Sequence, residues 1–205
     1  MAAIGILFAF AALFWTCFEQ AGSSFNLFAD RLTRLSAFGR EFPSTWFQSL
    51  NSILIIGLAP LFGWFWLRLG RREPSSPGKF AFGLLFVGLG LLVLVPASRL
   101  AQAHHVRVSP LWLVGVYFVH TLGELCLSPV GLSTVTKLAP ARLVGLMMGV
   151  WFLGAALGNK AAGSIGGLFD PAHLAGIFGT LGAITIGAGI VLALLVKPIR
   201  RLMQA

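Results

Sequence analysis

The chain has 205 residues, of which 57% are hydrophobic and only 10% are charged, and its mean hydropathy is +0.88. Because a soluble domain carries about 25% charged residues, this composition excludes an ordinary soluble protein and predicts helices inside a bilayer. The formal net charge is +9. The basic residues cluster in short connections without a basic and aromatic groove, which excludes nucleic acid as a partner.

Six apolar runs follow one another along the chain, and each is close to the ~20 residues that a membrane-spanning helix needs. They cover about residues 2–22, 46–67, 80–97, 110–136, 143–168 and 174–196. Pro129 predicts a kink in the fourth run. The expected fold class is an all-α membrane protein with six transmembrane helices in a lipid bilayer. No basic segment or clear cleavage site marks the first run as a signal peptide.

The connections between the runs differ in positive charge on the two sides of the membrane. One side carries nine basic residues: Arg68, Arg71, Arg72, Lys79, Lys137, Arg142, Lys197, Arg200 and Arg201. The other side carries six: Arg31, Arg34, Arg40, Arg99, Arg107 and Lys160. The positive-inside rule places the nine in the cytoplasm, together with both chain ends. We expect a multi-pass protein of the cell membrane, in a bacterium the inner membrane.

The residue types that commonly carry enzyme chemistry form no convincing cluster. Cys17 and Cys126 both lie within apolar runs, where packing is expected rather than a disulfide or a zinc site. The pair His104–His105 lies in a connection, where solvation is expected. No nucleophile–base pair and no metal-spaced cluster is evident. We therefore expect neither enzymatic activity nor a cofactor.

Two glutamates stand inside apolar runs, Glu19 in the first and Glu124 in the fourth. A charged acid at the bilayer centre costs roughly 2.5–3.5 kcal/mol on insertion scales. Each glutamate is therefore expected to face the bundle interior, pair with a cation or hold a proton. For Glu19, an interfacial position near the end of its helix is the alternative.

Other polar residues lie near these acids. Glu124 and Ser128 are four residues apart and share a helix face, and Gln48 and Asn51 lie three apart just inside the second run. Trp151 lies in the middle of the fifth run, where packing is favoured if it is taken alone.

The positions of the two acids indicate internal symmetry and a missing partner. They lie in the first and fourth helices, which open two three-helix sets, as in an inverted three-plus-three repeat. No membrane-embedded Lys or Arg is available to either acid, and the nearest candidate, Lys160, lies toward a helix end. Cationic partners are expected on another chain or on a part of the protein that this chain does not contain.

Four segments resemble one transporter family. Phe14-Trp-Thr-Cys-Phe-Glu-Gln-Ala-Gly-Ser-Ser24 with Leu27-Phe-Ala-Asp-Arg31 resembles the seventh helix of proton-dependent oligopeptide transporters of the major facilitator superfamily. Gln48-Ser-Leu-Asn51 with Leu58-Ala-Pro-Leu-Phe62 is similar to the eighth. Gly123-Glu-Leu-Cys-Leu-Ser-Pro-Val-Gly-Leu-Ser133 is similar to the tenth, and the segment from Lys137 to Phe152 to the eleventh.

The resemblance implies a fold and a function. The fold would be one six-helix bundle over residues 1–205, the carboxy-terminal half of a symporter that moves di- and tripeptides with protons and uses the proton gradient as its energy source. Glu124 would bind the amino terminus of the peptide, and Ser128, Asn51 and Trp151 would line the same cavity. Glu19 would form a gating ion pair with a basic residue of the missing half and take part in proton coupling.

The chain also departs from the family, whose members have about twelve helices. The Glu-x-x-Glu-Arg proton motif, and the tyrosines and lysine that meet the peptide carboxylate, belong to the amino-terminal six-helix bundle, which is the expected partner. The alternative is a fragment or degenerate membrane protein that does not transport. Glu124 predicts a substrate with a free amino group but does not rank peptides by side chain.

Overall fold

A computed structural model of the chain describes residues 2–37 and 39–204. The described part contains seven α-helices: α1 (Ala2–Phe18), α2 (Ser24–Leu32), α3 (Trp46–Leu69), α4 (Ser76–His104), α5 (Leu111–Leu138), α6 (Val144–Gly166) and α7 (Leu174–Gln204). A two-residue antiparallel pair, β1 (Ser36–Ala37) and β2 (Arg40–Glu41), lies between α2 and α3. By length and composition, six segments of the described part can cross a membrane, the first being α1 and α2 together.

Several helices extend beyond their predicted ends. The third run was expected over 80–97, but α4 begins at Ser76, with Pro77 in its first turn, and ends where His105 adopts a left-handed conformation at φ 50°. The sixth run was expected over 174–196, whereas α7 continues to Gln204. Charged and polar residues at helix ends lower the local hydropathy without ending the helix, and this explains both differences.

The first span is interrupted rather than continuous. A 3-10 turn over Glu19–Gly22 separates α1 from α2, and the span continues to Leu32 instead of ending at Gly22. Part of the stretch after Asp30 that was expected to be a polar connection is therefore helical. The interruption places Glu19 at a helix break inside the span.

The bundle is organised around α4, which packs against α7, α5 and α1. Glycines allow the closest of these approaches: a Cβ on Gly88 would lie 2.6 Å from Cγ1 of Ile186 and 3.0 Å from the carbonyl oxygen of Gly182. Small residues at such crossings let membrane helices pack backbone to backbone. Helix α3 is peripheral by comparison, because it packs mainly against α5.

The sequence predicts Lys79 in the connection before α4, but Lys79 lies inside α4. Its side chain is buried, its Nζ donates a hydrogen bond to Oε1 of Glu73, and it lies 4.3 Å from the centre of the Trp66 ring. The carboxylate and the aromatic face compensate the buried charge. The side chain of Lys79 therefore links α4 to Trp66 of α3 and to Glu73 in the connection between them.

Helix packing around Trp151 gives a first prediction. A Cβ on Gly131 would lie 2.3 Å from Cζ2 of Trp151, a ring that is 5% exposed and packs edge-on to Phe80 at 5.9 Å. The substitution Gly131→Ala should therefore destabilise the protein by about 1–3 kcal/mol through overpacking. Thermal unfolding in detergent measures the effect.

The matched control is Gly163→Ala on α6, where a new Cβ meets no atom within 4 Å. That variant should be neutral or slightly stabilising, because alanine favours the helix. Equal thermal stability of the two variants would contradict the packing described for Trp151.

Candidate functional site

The break between α1 and α2 is held by the side chain of Gln20, which is fully buried. Its Nε2 donates to the backbone oxygen of Thr16 at 3.0 Å, and its Oε1 accepts from Oγ of Ser24 at 2.6 Å. These bonds compensate backbone and side-chain polar groups that a hydrocarbon environment would leave unsatisfied. A helix break can therefore exist at this depth and present Glu19 beside it.

Helix α3 is joined to α5 by a polar contact. Nδ2 of Asn51 donates to Oε2 of Glu124 at 2.9 Å and is 3.2 Å from Oγ1 of Thr121. The Thr121 hydroxyl in turn donates to the backbone oxygen of Tyr117 at 2.8 Å. The geometry leaves Oε1 of Glu124 without a described protein donor, so that one oxygen of the carboxylate is free to accept from another group.

A second contact joins α5 to the helix break. Oη of Tyr117 donates to the backbone oxygen of Ala21 at 3.3 Å, which satisfies a carbonyl in the 3-10 turn. The Tyr117 ring stacks on Phe47 of α3 with 6.4 Å between ring centres. Tyr117 therefore connects three elements around one space: the break, α3 and α5.

That space is a cleft of about 260 Å³ whose lining includes Glu19, Gln48, Asn51, Tyr117 and His120. Glu19 lines the cleft directly, and Glu124 is linked to it through the lining residue Asn51. Within residues 2–37 and 39–204, neither acid forms an ion pair with Lys or Arg. One acid in the lining and a second acid bonded to a lining residue favour an occupant that carries positive charge.

The structure brings some of the predicted site residues together and leaves others apart. Glu124 and Asn51 are in direct contact, and Glu19 shares the cleft with Asn51. Ser128 is half-buried one helical turn beyond Glu124 on α5. Glu124, Ser128 and Trp151 are not among the lining residues of the cleft. Trp151 packs against Phe80, as its mid-span position favoured when it was taken alone.

Four residues around the cleft were not singled out from the sequence: Gln20, Tyr117, His120 and Thr121. The last three precede Glu124 by seven, four and three positions, which places them on the same side of α5. His120 is buried between Phe18 and Phe25, with ring-centre distances of 5.9 and 5.3 Å. The helical spacing of Tyr117, His120 and Thr121 ahead of Glu124 is the sequence signal that could have identified these three residues.

Comparison with known proteins now gives the class of this membrane protein. A family model described as "PTR2: POT family" matches residues 1–189. The chain is 46% identical to the peptide transporter YePEPT of Yersinia enterocolitica over 205 residues, and 44% identical to the uncharacterized transporter YclF of Bacillus subtilis. These alignments cover 97% and 100% of this chain.

Solved structures show the same fold. The chain superimposes on a crystal structure of a peptide transporter POT in complex with sulfate with a TM-score of 0.90 at 41% identity, covering 100% of this chain and 41% of that one. A mutant of a peptide transporter POT in complex with alafosfalin matches with a TM-score of 0.91 at 40% identity, covering 100% of this chain and 42% of that one.

The chain belongs to the POT family. This confirms the resemblance and the expected fold class, a six-helix bundle of the major facilitator superfamily in a multi-pass membrane protein. The chain spans 41% of the length of the Bacillus relative and 40% of the Yersinia relative.

The contact between Asn51 and Glu124 gives a second prediction. The substitution Asn51→Ala removes a donor to a partly buried carboxylate, and hydrogen bonds to charged groups contribute about 1.5–3 kcal/mol. A double-mutant cycle with Glu124→Gln, measured by thermal unfolding, should give a coupling energy of about 0.5–3 kcal/mol.

The neighbouring exposed residue Ser52 provides the control. The pair Ser52→Ala and Glu124→Gln should be additive, since Ser52 lies on the other side of α3. Additivity of Asn51→Ala with Glu124→Gln would mean that the two side chains do not interact in the folded protein.

Proposed function

We propose that the chain forms the carboxy-terminal half of a secondary symporter that moves di- and tripeptides into the cell with protons. The observation that carries this proposal is a pair of acids beside one cleft without a cationic partner among the described residues. Glu19 lines the cleft, and Glu124 is hydrogen-bonded at 2.9 Å to the lining residue Asn51. An ammonium group or a proton is the occupant that this arrangement favours. A relative from Lactococcus lactis, 36% identical over 201 residues, carries the name di-/tripeptide transporter, which supports the substrate class.

The residues differ in the roles that their positions support. Glu124 binds the amino terminus of the peptide, because its position is fixed by Asn51 while one carboxylate oxygen remains available. Asn51 and Ser128 line the same wall. The resemblance implies Trp151 as a further contact of the peptide. Trp151 is buried against Phe80 and packs on Gly131 of α5, the helix that carries Glu124.

Glu19 is the proposed gate and proton-coupling residue. It lies at the break in the first span and lines the same cleft as Asn51, the residue that donates to Glu124. A basic residue of the amino-terminal six-helix bundle would pair with it when the two halves close over the substrate. Breaks of this kind beside a substrate site are a recurring feature of transporters.

The third prediction concerns transport itself. With the amino-terminal bundle of the same transporter present in proteoliposomes, the substitution Glu124→Gln should lower proton-driven dipeptide uptake by at least about tenfold. This is the loss expected when an ammonium group loses about 1.4 kcal/mol of charge-assisted binding.

The matched control is Glu41→Gln, because Glu41 is an exposed glutamate on β2 outside the cleft. Its uptake should equal that of the unsubstituted protein. Unchanged uptake by the Glu124→Gln variant would show that the site is wrongly assigned. Uptake by this chain without the amino-terminal bundle would refute the proposed partner.

The fourth prediction concerns orientation, since we propose that both chain ends lie in the cytoplasm of a bacterial cell. Thr45 and Pro140 are exposed residues in connections at opposite ends of the bundle, and the native Cys17 and Cys126 are buried. A membrane-impermeant thiol reagent applied to intact cells should label a Thr45→Cys variant and not a Pro140→Cys variant. The opposite labelling pattern would invert the proposed topology.

A further inference from the structure

A separate cavity lies away from the candidate peptide site, at the end of the bundle where the first span and α4 both terminate. It has a volume of about 690 Å³ and is lined in part by Arg31, Leu32, Gln102, His105 and Arg107. It shares no lining residue with the cleft that holds Glu19 and Asn51. The function proposed above makes no use of it.

The lining of this cavity, here called the basic cleft, is strongly positive. Arg31 comes from α2, and His105 and Arg107 come from the connection between α4 and α5. None of the described lining residues is an Asp or Glu. Asp170, next to the lining residue Pro171, forms hydrogen bonds within its own turn. It accepts from Nδ1 of His173 at 2.7 Å and from the backbone N–H of Ala172 at 3.0 Å. The hydrogen bond from His173 lowers the pKa of Asp170.

The walls of the basic cleft are held together by contacts between segments that are distant in sequence. The backbone N–H of Val108 donates to the carbonyl of Leu32 at 2.8 Å, and that of Arg34 donates to the carbonyl of Val108 at 2.9 Å. The amide of Gln102 donates to the backbone oxygen of Pro171. Arg31 packs over the ring of Phe169 at 5.4 Å, which fixes its guanidinium beside the cavity. The backbone around the cavity is therefore held in place, and the guanidinium of Arg31 is positioned by Phe169.

The position of the basic cleft indicates the kind of anion that fits it. Arg31 and Leu32 are the last residues of the first candidate span, and His105 directly follows the third, so the cavity lies at the level of the lipid headgroups. Its volume is many times the ~30 Å³ of a water molecule, so that it accommodates more than a bare phosphate ion. Leu32 and Val106 add apolar surface to the same lining.

We propose that the basic cleft binds the phosphate group of an anionic phospholipid headgroup. Guanidinium groups recognise phosphate oxygens through paired hydrogen bonds, and Arg31 and Arg107 supply two such groups while His105 adds a further donor. The apolar part of the lining contacts the glycerol and the first methylenes. A bound lipid of this kind joins the first span to α4 and to the connection between α6 and α7.

Binding of a fluorescent short-chain phosphatidylglycerol to the purified 205-residue chain in neutral detergent tests this proposal, with phosphatidylcholine as the comparison lipid. The double variant R31Q/R107Q should raise the dissociation constant for phosphatidylglycerol about 25-fold, since each arginine contributes about fivefold near an anionic lipid. The charge-preserving R31K/R107K variant should retain most of the affinity.

The variant R34Q/R40Q is the matched control, because Arg34 and Arg40 are exposed, lie in the same connection between α2 and α3, and are outside the lining of the basic cleft. It removes the same charge and should change the affinity by less than about threefold. If both double variants weaken phosphatidylglycerol binding equally, the effect reflects general surface charge, and the proposal is overturned. Equal affinity of the unsubstituted chain for the two lipids would do the same.

Inorganic phosphate distinguishes the two sources of the anion. If the headgroup is the ligand, millimolar phosphate should leave lipid binding unchanged. Displacement of the lipid by phosphate, with the same dependence on Arg31 and Arg107, would overturn the assignment to lipid and make the basic cleft a site for a free oxyanion. Proton-driven uptake by the assembled transporter is not needed for any of these measurements, so failure of the lipid proposal would not affect the proposed transport function.

Discussion

The hydrocarbon core of a bilayer offers no hydrogen-bond partner to a polar group, so the polar groups inside this bundle need partners within the protein. Gln20 bonds backbone and hydroxyl groups at the break in the first span. Asn51 donates to Glu124, and Lys79 lies between Glu73 and the Trp66 ring. Each of these polar groups has a partner inside the protein. Glu19 and Glu124 differ from the others, because neither has a cation to balance its charge among the described residues.

The same constraint explains where the bundle is tightly packed and where it is open. Around α4, glycines such as Gly88 and Gly182 bring helices into backbone contact, and dispersion forces supply the cohesion that the hydrophobic effect does not provide between helices in lipid. Helix α3 lacks such close packing and is joined to α5 through Asn51 and the stacking of Phe47 on Tyr117. The candidate peptide site thus lies where the tightly packed part of the bundle meets the peripheral helix α3, and such an arrangement suits a wall that moves during the proposed transport.

Charge is distributed unevenly along the bundle. One cleft is lined by the acid Glu19, and one end of the bundle holds the basic cleft formed in part by Arg31, His105 and Arg107. The two cavities are built from different residues of some of the same helices, since the first span contributes to both. Occupation of the basic cleft by an anionic headgroup would brace the end of the span whose break carries Glu19. This is a physical route by which lipid composition acts on the proposed gate.

The sequence alone predicted the six spans and the family, and it singled out Glu19, Glu124 and Asn51 as candidate site residues, because a polar residue in an apolar run is conspicuous and long motifs identify relatives. The tertiary structure decided which of these residues meet. The contact between Asn51 and Glu124 joins positions 73 residues apart, and no local periodicity predicts such a distance. The break at Glu19–Gly22 depends on Gln20, and the burial of Lys79 and Trp151 depends on partners from other helices. Hydropathy averages over a window of residues, whereas hydrogen bonds and packing select individual atoms, and for this reason only the folded bundle distinguishes the wall of the site from its support.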